Sequence, residues 1–511
     1  MKTIRRQYLR RRKQRIERRL EVRNWAEQPS PMLTASNVQY ELSDRDRGLA
    51  VGGIGAMHRL VRHVGLAEEL DEHVELLKVH QPYHESDHVL NIVYNVLCGG
   101  KCLEDIELRR NDEVYLDALG AQRIPDPTTA GDFCRRFTRL DIESLQSAIN
   151  EARLRVWAEQ QAEFFDEAVI EADGTLACTK GECKEGADFN YKGEWGYHPL
   201  VLSLSKTQEP LFLVNRSGNR PSSEGAAKRF DQALNLCRRA GFRRVTFRGD
   251  TDFSQTKHLD RWDESGVRFV FGFDARLNLN SFAEALPDKA WKPFERKPKY
   301  EVKTELRRRP VNVKEAKVVE REFHNIRLDS EQVAEFGYSP THCRKEYRMV
   351  VLRKNLSMLR GEQRLFDDVR CFFYLTNDTK TPAAEIVRES NQRCRQEQLI
   401  EQLHGGVRAT SMPVDTLLSN WAYMVMAALA WSLKAWFALL LSEGGRWRDR
   451  RRSEKQAVLR MEFRTFLNAF MRIPAQLVRA GRRTIFRLLA WNPWQGVFLR
   501  GVDQLHGRLR C

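Results

Sequence analysis

Three carboxylates in this chain have the residue types and the setting for metal-assisted phosphoryl chemistry. Asp173 ends the run Val169-Ile-Glu-Ala-Asp173, a short apolar strand closed by Gly174 and Thr175. Asp250 ends a similar segment, Val245-Thr-Phe-Arg-Gly-Asp250, just after a helical stretch that stops at Gly241. Glu397 lies far downstream in a polar helical stretch that begins Ser390-Asn-Gln-Arg393. Two carboxylates on strand ends and one on a helix suit a pair of divalent cations about 4 Å apart, set for in-line displacement at phosphorus. Each alone has an ordinary explanation, since Asp at a strand end forms turns or caps helices and a lone helical Glu is solvated. Asp252 competes for the second place, but capping the next helix suits it better.

The elements that must position these groups alternate between strand and helix. Strands are expected at 168–175, 197–206, 210–217, 244–250 and 267–274. A helix over 224–240 places Ala227, Phe230, Ala233, Leu234 and Cys237 on one face. The link Lys206–Glu209 is short enough for a hairpin. The order β, β, β, α, β, α, β predicts a mixed sheet flanked by helices, with the two acidic strand ends side by side. Between Arg276 and Asp367 charged, β-rich pieces intervene: Val302–Leu306, Val311–Glu320 and Tyr347–Arg353. Arg296-Lys297 and Arg307-Arg308-Arg309 sit on their turns. This block reads as an inserted β domain outside the sheet, either touching nucleic acid or serving as a structural flap. Arg370–Asn377 gives one more strand, and Thr381-Pro opens the helix that carries Glu397.

The flanks are helical and basic. Residues 1–23 hold eleven Lys or Arg, including Arg10, Arg11, Arg12 and Lys13. They suit a basic amphipathic helix, a disordered arm along phosphates, or a solvated tail. Residues 24–46 read as a linker, and Leu49–Leu116 as helices. Pro125-Asp-Pro-Thr-Thr129 then caps a helix bearing Arg135, Arg136 and Arg139, which fits either helix-turn-helix DNA binding or plain helical packing. The apolar run Leu417–Leu441 is interrupted by Asn420, Ser432 and Lys434, so it reads as a buried core helix and no membrane contact is expected. The segment from Arg446 onward reads as helical, with Arg482 and Arg483 in a second DNA-contacting surface. The domain division is therefore 1–46 basic arm and linker, 47–160 helical, 161–275 with 368–442 catalytic core, 276–367 β-rich insertion, and 443–511 basic C-terminal region.

The composition agrees with a nucleic-acid partner. Across 511 residues, 85 Lys+Arg against 69 Asp+Glu leave a net charge of +16. Such an excess favours a polyanion, DNA or RNA first, although a basic protein without such a partner is the plainer alternative. The ten cysteines do not form a zinc hairpin with a matching second half, and several lie among apolar residues, so they read as buried reduced thiols. No apolar signal core precedes the basic arm, and a cytoplasmic, nucleoid-associated protein is expected.

Together, Glu171-Ala-Asp173-Gly-Thr, Gly196-Tyr-His-Pro-Leu200, Arg248-Gly-Asp250-Thr-Asp-Phe253 and Asn391-Gln-Arg393 through Glu397 resemble the DDE transposases of bacterial insertion sequences. The resemblance covers roughly residues 50–490. It is to the branch with a β-rich insertion before the final glutamate, which is akin to piggyBac-like elements. It implies a ribonuclease-H-like core with Asp173, Asp250 and Glu397 as the catalytic, metal-holding set. It also implies two Mg²⁺ ions, replaceable by Mn²⁺, and double-stranded DNA of element ends and target as partner. A homodimer or higher oligomer would form on that DNA, and the activity would be strand cleavage and strand transfer, by cut-and-paste. A related signature places a tyrosine, an arginine, the glutamate and a lysine along the last helix. Here those places hold Ser390, Arg393, Glu397 and His404, so Arg393 and His404 are the DNA contacts it implies. A structure-selective nuclease of the same fold would use the same carboxylates, and a non-catalytic DNA-binding relative would not need them.

Overall fold

Alternation along one strand sets the main sheet. In β1 (Glu167–Gly174), Ala168, Ile170 and Ala172 are fully buried on one face, while Glu171 and Asp173 belong to the other. The computed structural model describes residues 2–21, 35, 38–40, 43, 45–295, 327–359, 362–481, 483–507 and 509. The chain divides into two compact units, one of residues 161–176 and 188–400, the other of residues 1–160, 177–187 and 401–511.

The first unit is α/β. After β1 come β2 (Leu200–Leu204), β3 (Glu209–Val214), α1 (Ala226–Ala240), β4 (Arg244–Gly249), α2 (Thr256–Glu264) and β5 (Arg268–Phe273). β1, β4 and β5 run parallel as neighbours, and β2 and β3 continue antiparallel on the far side of β1. The strands and the helix stand where the sequence places them, within a few residues at their ends. The face opposite Glu171 is closed by aromatic packing: Phe230 of α1 lies 4.5 Å from Phe247 of β4, and Trp262 of α2 stands edge-on to it at 5.1 Å. α1 stops at Gly241, whose φ of 92° lets the chain turn and satisfy the last carbonyls.

The inserted block departs from expectation. β6 (Arg327–Tyr338), β7 (Tyr347–Leu359) and β8 (Glu362–Thr376) are not a lobe outside the sheet; they lengthen it. With the short strand Lys292–Pro293, the order is Lys292–Pro293, β6, β7, β8, β5, β4, β1, β2, β3, nine strands among the described residues. β8 pairs antiparallel with β5 from Phe373 to Thr376, which covers an edge that would otherwise expose unpaired backbone groups. The extension also makes a platform. α3 (Ala383–Ser390) buries Ile386 and Val387 against Val270 of β5 and against Val333, Val350 and Leu352 of β6 and β7. α4 (Cys394–Glu401) follows. The pieces Val302–Leu306 and Val311–Glu320, with Arg296, Lys297, Arg307, Arg308 and Arg309, lie outside the described residues.

The second unit is mainly helical. Its centre is the helix Leu417–Leu439, in which Trp421, Trp431 and Trp436 are fully buried. By length and composition this helix is apolar enough to cross a membrane, yet it is wholly buried in the protein. Its polar interruptions are satisfied: Lys434 Nζ donates to the Leu459 carbonyl at 2.7 Å, and Asn420 bonds both backbone groups of Val414. Residues 401–442, expected in the catalytic core, belong to this helical unit. The expected N-cap is present, with Asp126 accepting from the Thr129 N–H at 2.9 Å to open Pro127–Arg135. The C-terminal region is not all helix. Ala475–Ala480 and Arg483–Leu488 form a hairpin turning at Gly481, because Ala475 and Leu477 on one strand and Phe486 and Leu488 on the other put apolar residues on one face at a two-residue spacing. The thiols are also mixed: Cys98, Cys134 and Cys237 are buried, but Cys178 and Cys183 are exposed.

Candidate functional site

Parallel pairing delivers the two aspartates to one place. Glu171 pairs in register with Arg248, so Asp173 and Asp250, each two residues further on, leave the sheet from the same end and the same face. Asp250 lies just past β4, where its Oδ1 caps the following turn by accepting from the Asp252 N–H at 3.1 Å. The turn fits because β5 carries Gly272 opposite it; a Cβ there would come within 2.9 Å of the Thr251 nitrogen. Asp252 contributes only its backbone N–H to this turn; the cap expected of it is made by Asp250, and Gln255 stands at the N-cap of the next helix.

One guanidinium joins the pair. Arg393 Nη2 lies 3.2 Å from Asp173 Oδ2 and 3.4 Å from Asp250 Oδ2, a bridge between two strand ends and a residue 143 positions downstream. Two aspartates attract this cation more strongly than a single helical neighbour such as Glu397 would. Glu397 is exposed but lines the same cavity of about 420 Å³ as Asp250, Asp274 and Arg393. Its charge also acts on Asp173.

The electrostatics are those of crowded carboxylates. Burial pushes the Asp173 carboxyl up to about 6; Arg393 opposes this, while Asp250 and Glu397 add to it. Burial raises Asp250 as well, with Arg393 opposing and Asp252 adding to the rise. Among the described residues, these three do not bring ligand oxygens all within 4.8 Å of one another, whereas Glu69, Glu72 and His73 do. Glu69 of that second group is, however, already ion-paired with Arg155. The donor set around Arg393 fits a hard divalent cation: two carboxylates already meet one positive charge, and a third lines the cavity beside them.

The other expected residues scatter. His404 lies in the helical unit, where Thr410 Oγ1 meets its Nδ1 at 2.6 Å and burial lowers its pKa. Arg10, Arg11 and Lys13 are exposed on the helix Lys2–Leu20, but Arg12 is half-buried and donates to the Leu488 and Ala490 carbonyls at 2.8 and 3.2 Å. The basic segment is thus a docked helix, and one of its four arginine and lysine candidates is spent on the protein itself. Arg483 is exposed at the start of its hairpin strand, and Arg482 lies outside the described residues. Glu171, Arg248 and Gln396, which surround the site from within, were not singled out by the sequence. A buried polar residue beside an acidic strand end was the available signal.

Asp173 yields a pH prediction for the metal-free protein. Folded, it releases its proton near 6, against the ordinary 3.8. Between those values the folded chain holds the extra proton, so stability falls as pH rises through this window and the whole cost is present above it. Asp173→Asn should therefore be more stable than wild type at pH 7.5, by about 1–3 kcal/mol on the scale of about 1.4 kcal/mol per pKa unit, and equal to it near pH 4. Denaturant melts in chelator at both pH values test this, and a gap that ignores pH contradicts it.

The comparisons with known proteins span most of the chain. The family pattern described as Transposase DDE domain group 1 matches residues 48–509. Among solved structures, the chain is similar to a cryo-electron-microscopy structure of a piggyBac transposase synaptic complex with hairpin DNA. The identity is 10%, the TM-score 0.37, and the match covers 83% of this chain and 81% of that one. No curated protein sequence matches.

Proposed function

Because the chain belongs to the group 1 family of DDE transposase domains, we propose that it is a DNA transposase whose active site is built from Asp173, Asp250 and Glu397. It binds the terminal inverted repeats of an insertion sequence and carries out divalent-metal-dependent strand cleavage and strand transfer, moving its element by cut-and-paste in the bacterial cytoplasm at the nucleoid. The observation that carries this reading is the Arg393 bridge: two aspartates on adjacent parallel strand ends converge on one cation, with Glu397 lining the same cavity. The strand order β3, β2, β1, β4, β5, with β1, β4 and β5 parallel, supports a ribonuclease-H-like core.

Asp173, Asp250 and Glu397 would hold two Mg²⁺ ions, with Mn²⁺ as substitute. When bound, the ions supply Lewis acidity to a water or 3′-hydroxyl nucleophile and to the departing 3′ oxygen. With the aspartates engaged by metal, Arg393 would be free to pair with a DNA phosphate, which its planar fork suits. Asp173 must enter this state ionised, and its raised pKa makes activity fall in mild acid. The exposed basic residues Arg10, Arg11, Lys13 and Arg483 lie along DNA phosphates, and the DNA brings two or more copies of the chain together.

Purified protein, Mg²⁺ and labelled DNA carrying the element ends give the direct test. Asp173→Ala, Asp250→Ala and Glu397→Ala should each abolish cleavage while leaving end binding nearly intact, and Asp252→Ala should be much milder. Wild-type cleavage by any of the first three removes that residue from the set. Replacing Arg10, Arg11 and Lys13 together by Ala should weaken DNA binding and flatten the plot of log affinity against log salt, by about 0.9 for each phosphate no longer neutralised. An unchanged slope makes this helix face a solvated one.

A further inference from the structure

A row of buried polar side chains crosses the sheet directly behind the carboxylates. Ser203 of β2, Glu171 of β1 and Arg248 of β4 are consecutive partners across three strands, and each is at least 98% buried. Arg248 donates through Nε and Nη2 to Glu171 Oε1 at 2.9 and 2.6 Å, and through Nη2 to Ser205 Oγ at 3.1 Å. Its remaining nitrogen, Nη1, donates to the Glu389 carbonyl at 2.8 Å, in the last turn of α3, four residues before Arg393. Arg268 clamps the Glu389 carboxylate bidentately at 2.6 Å. The next helix is pinned by Gln396, which is 1% exposed. Its Nε2 donates to the Val201 carbonyl at 3.1 Å, and Ser203 Oγ donates to its Oε1. Val201 is the cross-strand partner of Asp173, and Gln396 immediately precedes Glu397.

Stability does not account for this row. A buried ion pair seldom exceeds the stability of a well-packed apolar pair of like volume. Here Glu171 Oε2 also has no hydrogen-bond partner among the described residues, a cost that an apolar side chain would avoid. What the row does uniquely is geometric. It fixes the register of β1 on β4, and so the offset between Asp173 and Asp250. It also ties β4 and β2 to the two helix turns on either side of Arg393. We propose that Glu171, Arg248 and Gln396 are positioning residues that set Asp173, Asp250 and Glu397 at metal-binding distance, and that Arg248 is the member that joins strands to helix. The inference rests on the carboxylate assignment made above.

The test reads Mn²⁺ affinity from the electron paramagnetic resonance of free Mn²⁺ on the full-length chain without DNA, using Asp250→Asn to identify this site. Arg248→Lys and Gln396→Leu should weaken the Asp250-dependent binding about 10–100-fold, the usual loss when groups that orient metal ligands are changed. End-DNA binding should stay near wild type, while the single variants lose some melting temperature with the buried hydrogen bonds they break. Glu171→Met/Arg248→Met removes both charges without orphaning either, so it should fold and show the same loss even if a single variant does not. Wild-type Mn²⁺ affinity in the folded double variant, or in folded Arg248→Lys, overturns the inference. Binding indifferent to Asp250→Asn overturns the carboxylate assignment and the inference with it. Asp250-dependent Mn²⁺ binding without cleavage of element ends defeats the transposase reading and leaves the positioning role standing.

Discussion

The parallel pairing of β1 with β4, held by the buried Glu171–Arg248 ion pair, is the constraint on which the rest of the site depends. Strand residues alternate faces, so a slip of one residue would turn Asp173 or Asp250 into the aromatic layer of Phe247 and Trp262. Arg248 can satisfy Glu171, Ser205 and the Glu389 carbonyl together only in the observed register. The same side chain therefore couples the strand register to the end of α3. The inserted strands contribute from the far side, since Val333, Val350 and Leu352 bed the apolar face of α3.

With the scaffold fixed, the site is left holding carboxylates that repel one another in a partly buried setting. The protein alone can relieve this by protonating Asp173, whose pKa is raised, or by supplying a cation, and Arg393 does the latter. This makes the site a poised one. Under the proposed function, divalent ions would compete with Arg393 for the same oxygens, and a DNA phosphate would offer the displaced guanidinium a new partner. Metal binding and DNA binding would then favour each other without any movement of the sheet.

Much of this was legible in the sequence, and what was missed has physical causes. Strand alternation and the closing Gly174 and Gly241 gave the strands and the helix of the α/β unit, because local pattern and burial agree there. The two aspartates could be expected side by side because both end strands whose order makes them neighbours, and the structure does bring them to one cation; Glu397 remains a proposal. The partner of Arg393 could not be read, since only tertiary folding brings it to Asp173, 220 residues away. The inserted block looked like a separate lobe because its strands are as charged as any surface hairpin; that β8 joins the edge of β5 is a long-range pairing with no local signal. Likewise the arginine-rich C-terminal region hid a hairpin, because its charges masked a two-residue alternation.

The central claim is that Asp173, Asp250 and Glu397 are built to share divalent cations. Crystals grown with Mn²⁺ test it most directly through anomalous diffraction. The account predicts two peaks about 4 Å apart among these three carboxylates, with Arg393 swung away from both aspartates. Mn²⁺ found instead only at Glu69, Glu72 and His73, with Arg393 still bridging Asp173 and Asp250, would contradict it.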